Sequence, residues 1–158
     1  MSDCNEIKSI LFICMGNICR SPSAEAVFRH KAKHQFVDVN IDSAGTLGAH
    51  KGEKPDPRSQ KAGINRGYDF SGIKARKVSV DDFAKFSLIL AMDNDNFKNL
   101  LKIAPDEYKH KVKLFLDYGD KYPETEVPDP YYGGSRGFEF VLDLIEDASD
   151  GLLVEITK

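Results

Sequence analysis

The sequence predicts an α/β fold: one domain built on a four-stranded parallel sheet with helices on both faces. Three observations lead there. The short apolar runs Ile10–Ile13 and Leu88–Met92 lack the alternation of a half-exposed strand, as expected for strands covered on both sides. Stretches of helical spacing alternate with the strands along the chain, so parallel strands joined by right-handed crossovers follow. The length of 158 residues, 41% hydrophobic and 30% charged, suits one globular unit with a core over about 7–157.

Taken in order, the first strand runs from Ile10 into a tight loop at Cys14. Ser21 followed by Pro22 fits an N-cap and first turn, opening a helix to about Gln35. Ala24, Val27, Phe28 and Ala32 form its apolar face, with Arg29, Lys31 and Lys33 on the other. Val37–Ile41 alternates apolar and polar residues and predicts a second strand near an edge, followed by a loop over Asp42–Gly48. Asp56-Pro57 fits a cap and first turn for a helix reaching Gly67. Ala75–Val78 reads as a short extended segment. Ser79-Val80-Asp81-Asp82 then reads as a reciprocal capping sequence for a helix through Phe86. Leu88–Met92 is a strand ending at Asp93, Asn94–Ile103 is helical, and Lys111–Leu116 is the last strand. A long loop rich in Pro, Gly, Asp and Tyr covers Asp117–Gly134. The closing helix carries Phe138, Val141, Leu142, Ile145, Ala148 and Leu152 at helical spacing. Parallel sheets bind ligands at the C-terminal ends of their strands, where the strand order reverses. Cys14, Ser43, Asp93 and the 117–134 loop all follow strand ends, so one mouth can gather them.

Composition excludes several classes of function. A net charge of −3 gives no basic surface for nucleic acid or membrane. No apolar run approaches a membrane span, and Met1-Ser2-Asp3-Cys4 does not begin a targeting segment. Cysteines fall only at 4, 14 and 19, so a disulfide framework is not expected and a reducing cytoplasm is. Cys4 reads as an unremarkable thiol in a frayed N-terminus. His30, His34, His50 and His110 show no ligand spacing, so neither a metal nor a cofactor is expected.

The chemistry lies at residues 14–20. Gly16 and Asn17 tolerate the left-handed conformation of a tight loop. A loop closing on a helix N-terminus points backbone N–H groups inward and makes a seat for an oxyanion. Cys14 opens that loop and Arg20 closes it, a nucleophile and a planar, permanently charged phosphate ligand around one cradle. Three Cys and six Arg in 158 residues give a Cys-x5-Arg by chance only about 0.1 times per chain. The preceding apolar strand and the following Ser21-Pro22 lower that further. The Ser21 hydroxyl can hydrogen-bond the Cys14 thiolate and ease its departure in addition to capping the helix, the alternative being an N-cap alone.

Cys14-Met15-Gly16-Asn17-Ile18-Cys19-Arg20-Ser21-Pro22 closely resembles the phosphate loop of the low-molecular-weight protein tyrosine phosphatases. Asp129-Pro130-Tyr131-Tyr132 resembles the same family's Asp-Pro-Tyr-Tyr signature. The likeness runs from Ile7 to about Leu152, densest at 12–22, Ser43–Thr46 and 128–133. It implies a phosphotyrosine phosphatase working through a cysteinyl-phosphate: Cys14 as nucleophile, Arg20 as ligand of the phosphate and transition state, and Asp129 as general acid. Met15, Gly16, Asn17, Ile18, Cys19 and Ser21 would complete the phosphate-binding loop. Asn17 and Ser43 match family positions that brace it, and Asp93 matches another, where a strand-end cap is an equal reading. Tyr131 and Tyr132 would wall the pocket, although a surface loop accounts for Tyr132 as well. An Asp-Pro turn would likewise account for Asp129 were Cys14 and Arg20 absent. Cys19 would be the redox partner of Cys14 in a reversible disulfide. The resemblance further implies phosphotyrosine-containing proteins, a tyrosine kinase among them, as partners, inorganic phosphate as product and inhibitor, and a monomer or weak dimer.

One departure stands out. Many members carry Trp or Tyr at the pocket rim, where this chain, with no Trp at all, has Ala49. Rival readings fit less well. An arsenate reductase on this fold needs further cysteines after Cys19. Arginine phosphatases carry Thr at the position of Ile18. A silent phosphotyrosine-binding module would have no need of Cys14, Arg20 and Asp129 together.

Overall fold

The structure, a computed structural model, describes residues 6–130 and 134–158. Four parallel strands, β1 (Ser9–Cys14), β2 (Asn40–Gly45), β3 (Leu88–Ala91) and β4 (Val112–Leu114), pair in the order β2-β1-β3-β4. The helices are α1 (Arg20–His34), α2 (Pro57–Asn65), α3 (Val80–Lys85), α4 (Asn94–Ile103) and α5 (Gly134–Ile156).

Every residue of β1 is buried, and the alternation of its side chains sorts the core into two layers. Ile10, Phe12 and Cys14 join the layer that holds Val27 and Phe28 of α1 and Ile145 of α5. Leu11 and Ile13 join the opposite layer with Phe83 of α3 and Leu100 of α4. Phe12 is the hub of the first layer, its ring 5.9 Å from Phe28 and 5.1 Å edge-on from Phe115. The chain leaves β1 for β2 on one side, then crosses to β3 on the other. The crevice of this fold therefore opens above the C-terminal ends of β1 and β3, at Cys14 and Met92.

Three boundaries differ from the sequence reading. β2 lies at Asn40–Gly45 rather than Val37–Ile41, so Ser43 is within the strand and not in the loop after it. The alternating valines are only a half-buried lead-in. The ladder runs from Asn40, opposite Ser9 where β1 begins, to Gly45, opposite Cys14. β4 is shorter than expected, because Phe115–Tyr118 winds into a 3-10 turn. α1 begins one residue early, with Cys19 as its N-cap, so Ser21 is inside the helix. The predicted capping of α3 holds, with the Ser79 N–H donating to Asp82 Oδ2 at 2.8 Å.

α5 closes the α1 side. A Cβ at Gly151 would sit 1.7 Å from the Tyr118 carbonyl oxygen, and one at Gly137 would sit 2.6 Å from that of Pro130. Both glycines are thus fixed by close backbone approach, and the second ties the first turn of α5 to the residue after Asp129. Among the described residues, no helix is long and apolar enough to cross a membrane.

Candidate active site

Cys14 ends β1 opposite Gly45 of β2, and the loop after it is held from outside. Thr46 N–H donates to the Cys14 carbonyl at 3.0 Å, Leu47 N–H to that of Met15 at 2.9 Å, and Asp56 N–H to that of Ile18 at 2.7 Å. These bonds occupy the carbonyls of Cys14, Met15 and Ile18. The N–H groups of Gly16 and Ile18 find no acceptor among the described residues, and that of Asn17 points at Cys14 Sγ, 3.2 Å away. Asn17 has a φ of +58°, the left-handed turn anticipated for it, whereas Gly16 does not. At Gly16 the reason is space, since a Cβ would lie 3.1 Å from His50 Cδ2. Gly45 is more constrained still, its absent Cβ position being 2.6 Å from the Met15 carbonyl oxygen.

The thiol of Cys14 is buried, with Ser21 Oγ 3.0 Å from its sulfur. The polarity of that contact can be worked out. Asn17 Nδ2 donates to Ser21 Oγ at 2.8 Å and to Ser43 Oγ at 3.0 Å. Ser43 passes its own proton to Glu25 Oε1 at 2.6 Å. Ser21 Oγ accepts from Asn17 and carries one proton of its own, within reach of the Cys14 sulfur at 3.0 Å and of the Ala44 carbonyl at 3.4 Å; against a thiolate the sulfur is the nearer and the charged acceptor. Two roles proposed from sequence therefore meet: Ser21 faces the thiol, and Asn17 and Ser43 hold it there. The helix-cap alternative for Ser21 is excluded by its place inside α1.

Sequence reasoning missed the far ends of this network. Glu25 is buried beneath Ser43 and is also gripped by Arg29. Burial pushes its carboxyl above the ordinary glutamate range, outweighing the hydrogen bonds from Ser43 and Arg29. The signal was present: Glu25 lies between Ala24 and Ala26 on the buried part of a helix, a breach of the apolar pattern. On the other side, Asn17 Oδ1 accepts the Arg76 N–H at 3.0 Å. The Arg76 guanidinium forks to Asp42 Oδ2 at 3.0 Å and Asp82 Oδ2 at 2.9 Å. Burial works to raise the Asp82 pKa, but Arg76 and the Ser79 N–H outweigh it and hold the carboxylate below its usual range.

Arg20 is buried too, its Nη1 donating to Asp93 Oδ2 at 2.7 Å and to the Val127 carbonyl at 2.9 Å. Asp93 Oδ1 accepts the Asn96 N–H at 2.8 Å, so the same carboxylate that pairs with Arg20 also caps α4. The N-terminal end of α1 has neither a side-chain cap nor an acidic residue in its first turn, while Lys31, Lys33 and His34 balance its last. That leaves the positive end of the helix for an anion in the loop.

A pocket of about 260 Å³ forms over the loop, lined by Cys14, Ile18, Arg20, His50 and Asp129 among others. Met15, Gly16 and Cys19 also line it. Asp129 is thus brought into the same pocket as Cys14 and Arg20. Ala49 is not: it is exposed, and the adjacent His50 forms the rim, held by Glu53 Oε2 at 3.1 Å from its Nδ1. The turn from Gly48 to Lys51 swings Ala49 outward and drops the His50 ring beside Gly16. Tyr131 and Tyr132 lie outside the described residues, as does Cys4. Cys14 and Cys19 are both buried, and no disulfide joins them.

A family model described as low molecular weight phosphotyrosine protein phosphatase matches residues 9–158. The chain belongs to the low molecular weight phosphotyrosine protein phosphatase family. A Synechocystis protein provisionally named low molecular weight protein-tyrosine-phosphatase is 48% identical over 152 residues, covering 94% of this chain and 96% of its own. The Homo sapiens low molecular weight phosphotyrosine protein phosphatase is 41% identical over 138 residues, covering 85% and 86%. The crystal structure of a protein tyrosine phosphatase from Entamoeba histolytica matches with a TM-score of 0.92 at 43% identity, over 95% of this chain and 97% of that one. Membership of the low molecular weight phosphatase family agrees with the geometry: a Cys-x5-Arg loop at the tip of the central strand, at an unneutralised helix end, with Asp129 lining the same pocket.

Proposed function

We propose that the chain is one catalytic unit over 7–157 that hydrolyses phosphotyrosine in proteins, and aryl phosphates generally, through a cysteinyl-phosphate. The observation that carries this reading is the meeting of Cys14, Arg20 and Asp129 in one pocket at the N-terminal end of α1. The substrate's phosphate rests on the loop N–H groups, with Arg20 spanning two of its oxygens. Cys14 Sγ forms a bond to phosphorus as the bond to the phenolic oxygen breaks, and Asp129 gives that oxygen a proton. Asp129, now a carboxylate, takes a proton from water, whose oxygen attacks phosphorus. The S–P bond breaks, and the Ser21 hydroxyl stabilises the departing thiolate. Inorganic phosphate leaves as product and competes for the same cradle.

Asn17 and Ser43 hold Ser21, and Asp93 holds Arg20. Tyr131 and Tyr132 follow Asp129 directly and are assigned to the pocket wall, and Cys19 to a reversible disulfide with Cys14 under oxidation. The cysteine usage suits a reducing cytoplasm. The test is turnover of para-nitrophenyl phosphate at mildly acidic pH with EDTA present. Activity should survive EDTA, vanish in Cys14→Ser and fall by roughly 10²–10⁴ in Asp129→Ala. A reduced protein that binds phosphotyrosine but turns nothing over would be a binding module instead.

A further inference from the structure

A larger cleft, about 730 Å³, lies beside the phosphate pocket. The two share Met15, Arg20 and Asp129, so these residues form the sill between them. One wall is α4, whose Asp95, Lys98, Asn99 and Lys102 recur at the spacing of a single helix face. Glu124 and Glu126 lie along the cleft on the segment leading to Asp129.

The charges are ordered along this cleft. Asp93, just before α4, holds Arg20, so the N-terminal end of the helix is the end next to the phosphate pocket. Glu126 is tied to that end by accepting the Asn94 N–H at 2.7 Å. Asp95 is there as well, whereas Lys102 is seven residues on, about 10 Å along the axis. Asp95 and Glu124 are exposed, and neither joins an ion pair among the described residues. An independent feature points the same way. Asn96, which also lines the cleft, is 2% exposed, and its buried Oδ1 has no hydrogen-bond partner among the described residues. Buried acceptors are seldom left open. The end of the cleft nearest the phosphate thus offers carboxylates that ask for a cationic donor, in a wall where the buried Asn96 Oδ1 is itself unmet.

A phosphotyrosyl side chain with its phosphate on the loop brings its own backbone to the mouth. An extended chain advances about 3.3 Å per residue, so a neighbour one or two positions away crosses the sill. Resting on the phosphotyrosine reading above, we propose that this cleft seats the substrate polypeptide on one side of the phosphotyrosine and selects an arginine or lysine within two positions of it. Asp95 and Glu124 attract the cationic head, and Lys98 and Lys102 oppose a second basic residue farther out.

The experiment compares kcat/KM for phosphotyrosyl peptides that carry Arg, Ala or Glu at each of the two positions on either side, with para-nitrophenyl phosphate as a substrate too small to reach the cleft. At low ionic strength the Arg peptide should exceed the Glu peptide by about 3- to 10-fold at one of those positions, and salt should shrink the gap. The double variant Asp95→Asn/Glu124→Gln should abolish the preference with para-nitrophenyl phosphate turnover unchanged, which also reports that it folds. Asp95→Lys should reverse the preference toward Glu. Equal rates for all peptides in the parent, or a preference undiminished in the double variant, would overturn the inference. A parent protein inactive on para-nitrophenyl phosphate would overturn the phosphatase reading itself, and this one with it.

Discussion

Asp93 holds Arg20 with one carboxylate oxygen, 2.7 Å from Nη1, and caps α4 with the other, 2.8 Å from the Asn96 N–H. One side chain therefore fixes both the phosphate ligand and the helix beside it. The two roles separate by substitution. Asp93→Asn keeps an oxygen for the cap and loses the charge facing Arg20, so kcat/KM for aryl phosphate should drop about 10-fold with little change in melting temperature. Asp93→Ala should show the same kinetic loss and in addition cost about 1 kcal/mol of stability. Equal kinetics for parent and Asp93→Asn would show that Val127 alone positions the guanidinium.

Two glycines should respond oppositely to the same added methyl. Gly45→Ala pushes on the Met15 carbonyl and hence on the phosphate loop, so activity should fall at least 10-fold. Gly151→Ala forces α5 off the Tyr118 carbonyl, far from the chemistry, and should destabilise on the order of 3 kcal/mol while the folded fraction keeps its rate. Chemical unfolding read alongside single-temperature kinetics distinguishes them.

The carboxyls at the two ends of the Asn17 network should leave opposite marks on stability against pH. Burial raises the Glu25 pKa in the folded state, so its contribution is full below the ordinary value of 4.5 and is lost as pH rises through the folded value. Melting curves from pH 4 to 8 should show the parent losing ground relative to Glu25→Gln as pH rises. Asp82 is held below its ordinary 3.8, chiefly by Arg76 acting against burial, so its contribution is present above that value and lost as pH falls through the folded one. Asp82→Asn should therefore be destabilised at neutral pH and converge on the parent in acid.

The rim made by His50 predicts a binding effect rather than a chemical one. His50→Ala should raise KM for aryl phosphates about two- to five-fold with kcat nearly intact, because the imidazole flanks the pocket with its Nδ1 turned to Glu53. His50→Tyr, by extending the wall, should lower KM. A fall in kcat instead would place the ring closer to the reacting oxygen than the rim.

Oxidation tests Cys19. After peroxide and then dithiothreitol, the parent should regain most of its activity, while Cys19→Ser, with no partner thiol for Cys14, should stay inactive.

Much of this was legible before any coordinates. β1, β3 and α4 declared themselves because fully buried strands and a capped helix leave strong local patterns, and the loop at 14–20 because its residue types are so constrained. β2 was misplaced since its register is dictated by β1 and not by its own alternation. Ala49 was taken for the rim because a turn of a few residues decides which of two neighbours faces inward, and no periodicity records that. Arg76 left no trace either: its backbone N–H, which any residue would supply, is what reaches Asn17.

The nucleophile and the acid come from opposite ends of the chain, and Gly137 of α5 is pressed against Pro130, beside Asp129. A polypeptide emerging from the ribosome supplies Cys14 and Arg20 long before Asp93 and Val127, the two residues that hold the guanidinium, and Asp129 follows Val127 by only two positions. The thiol is thus made first, and the seat of Arg20 beside it is finished only once the segment through Val127 has been added and folded.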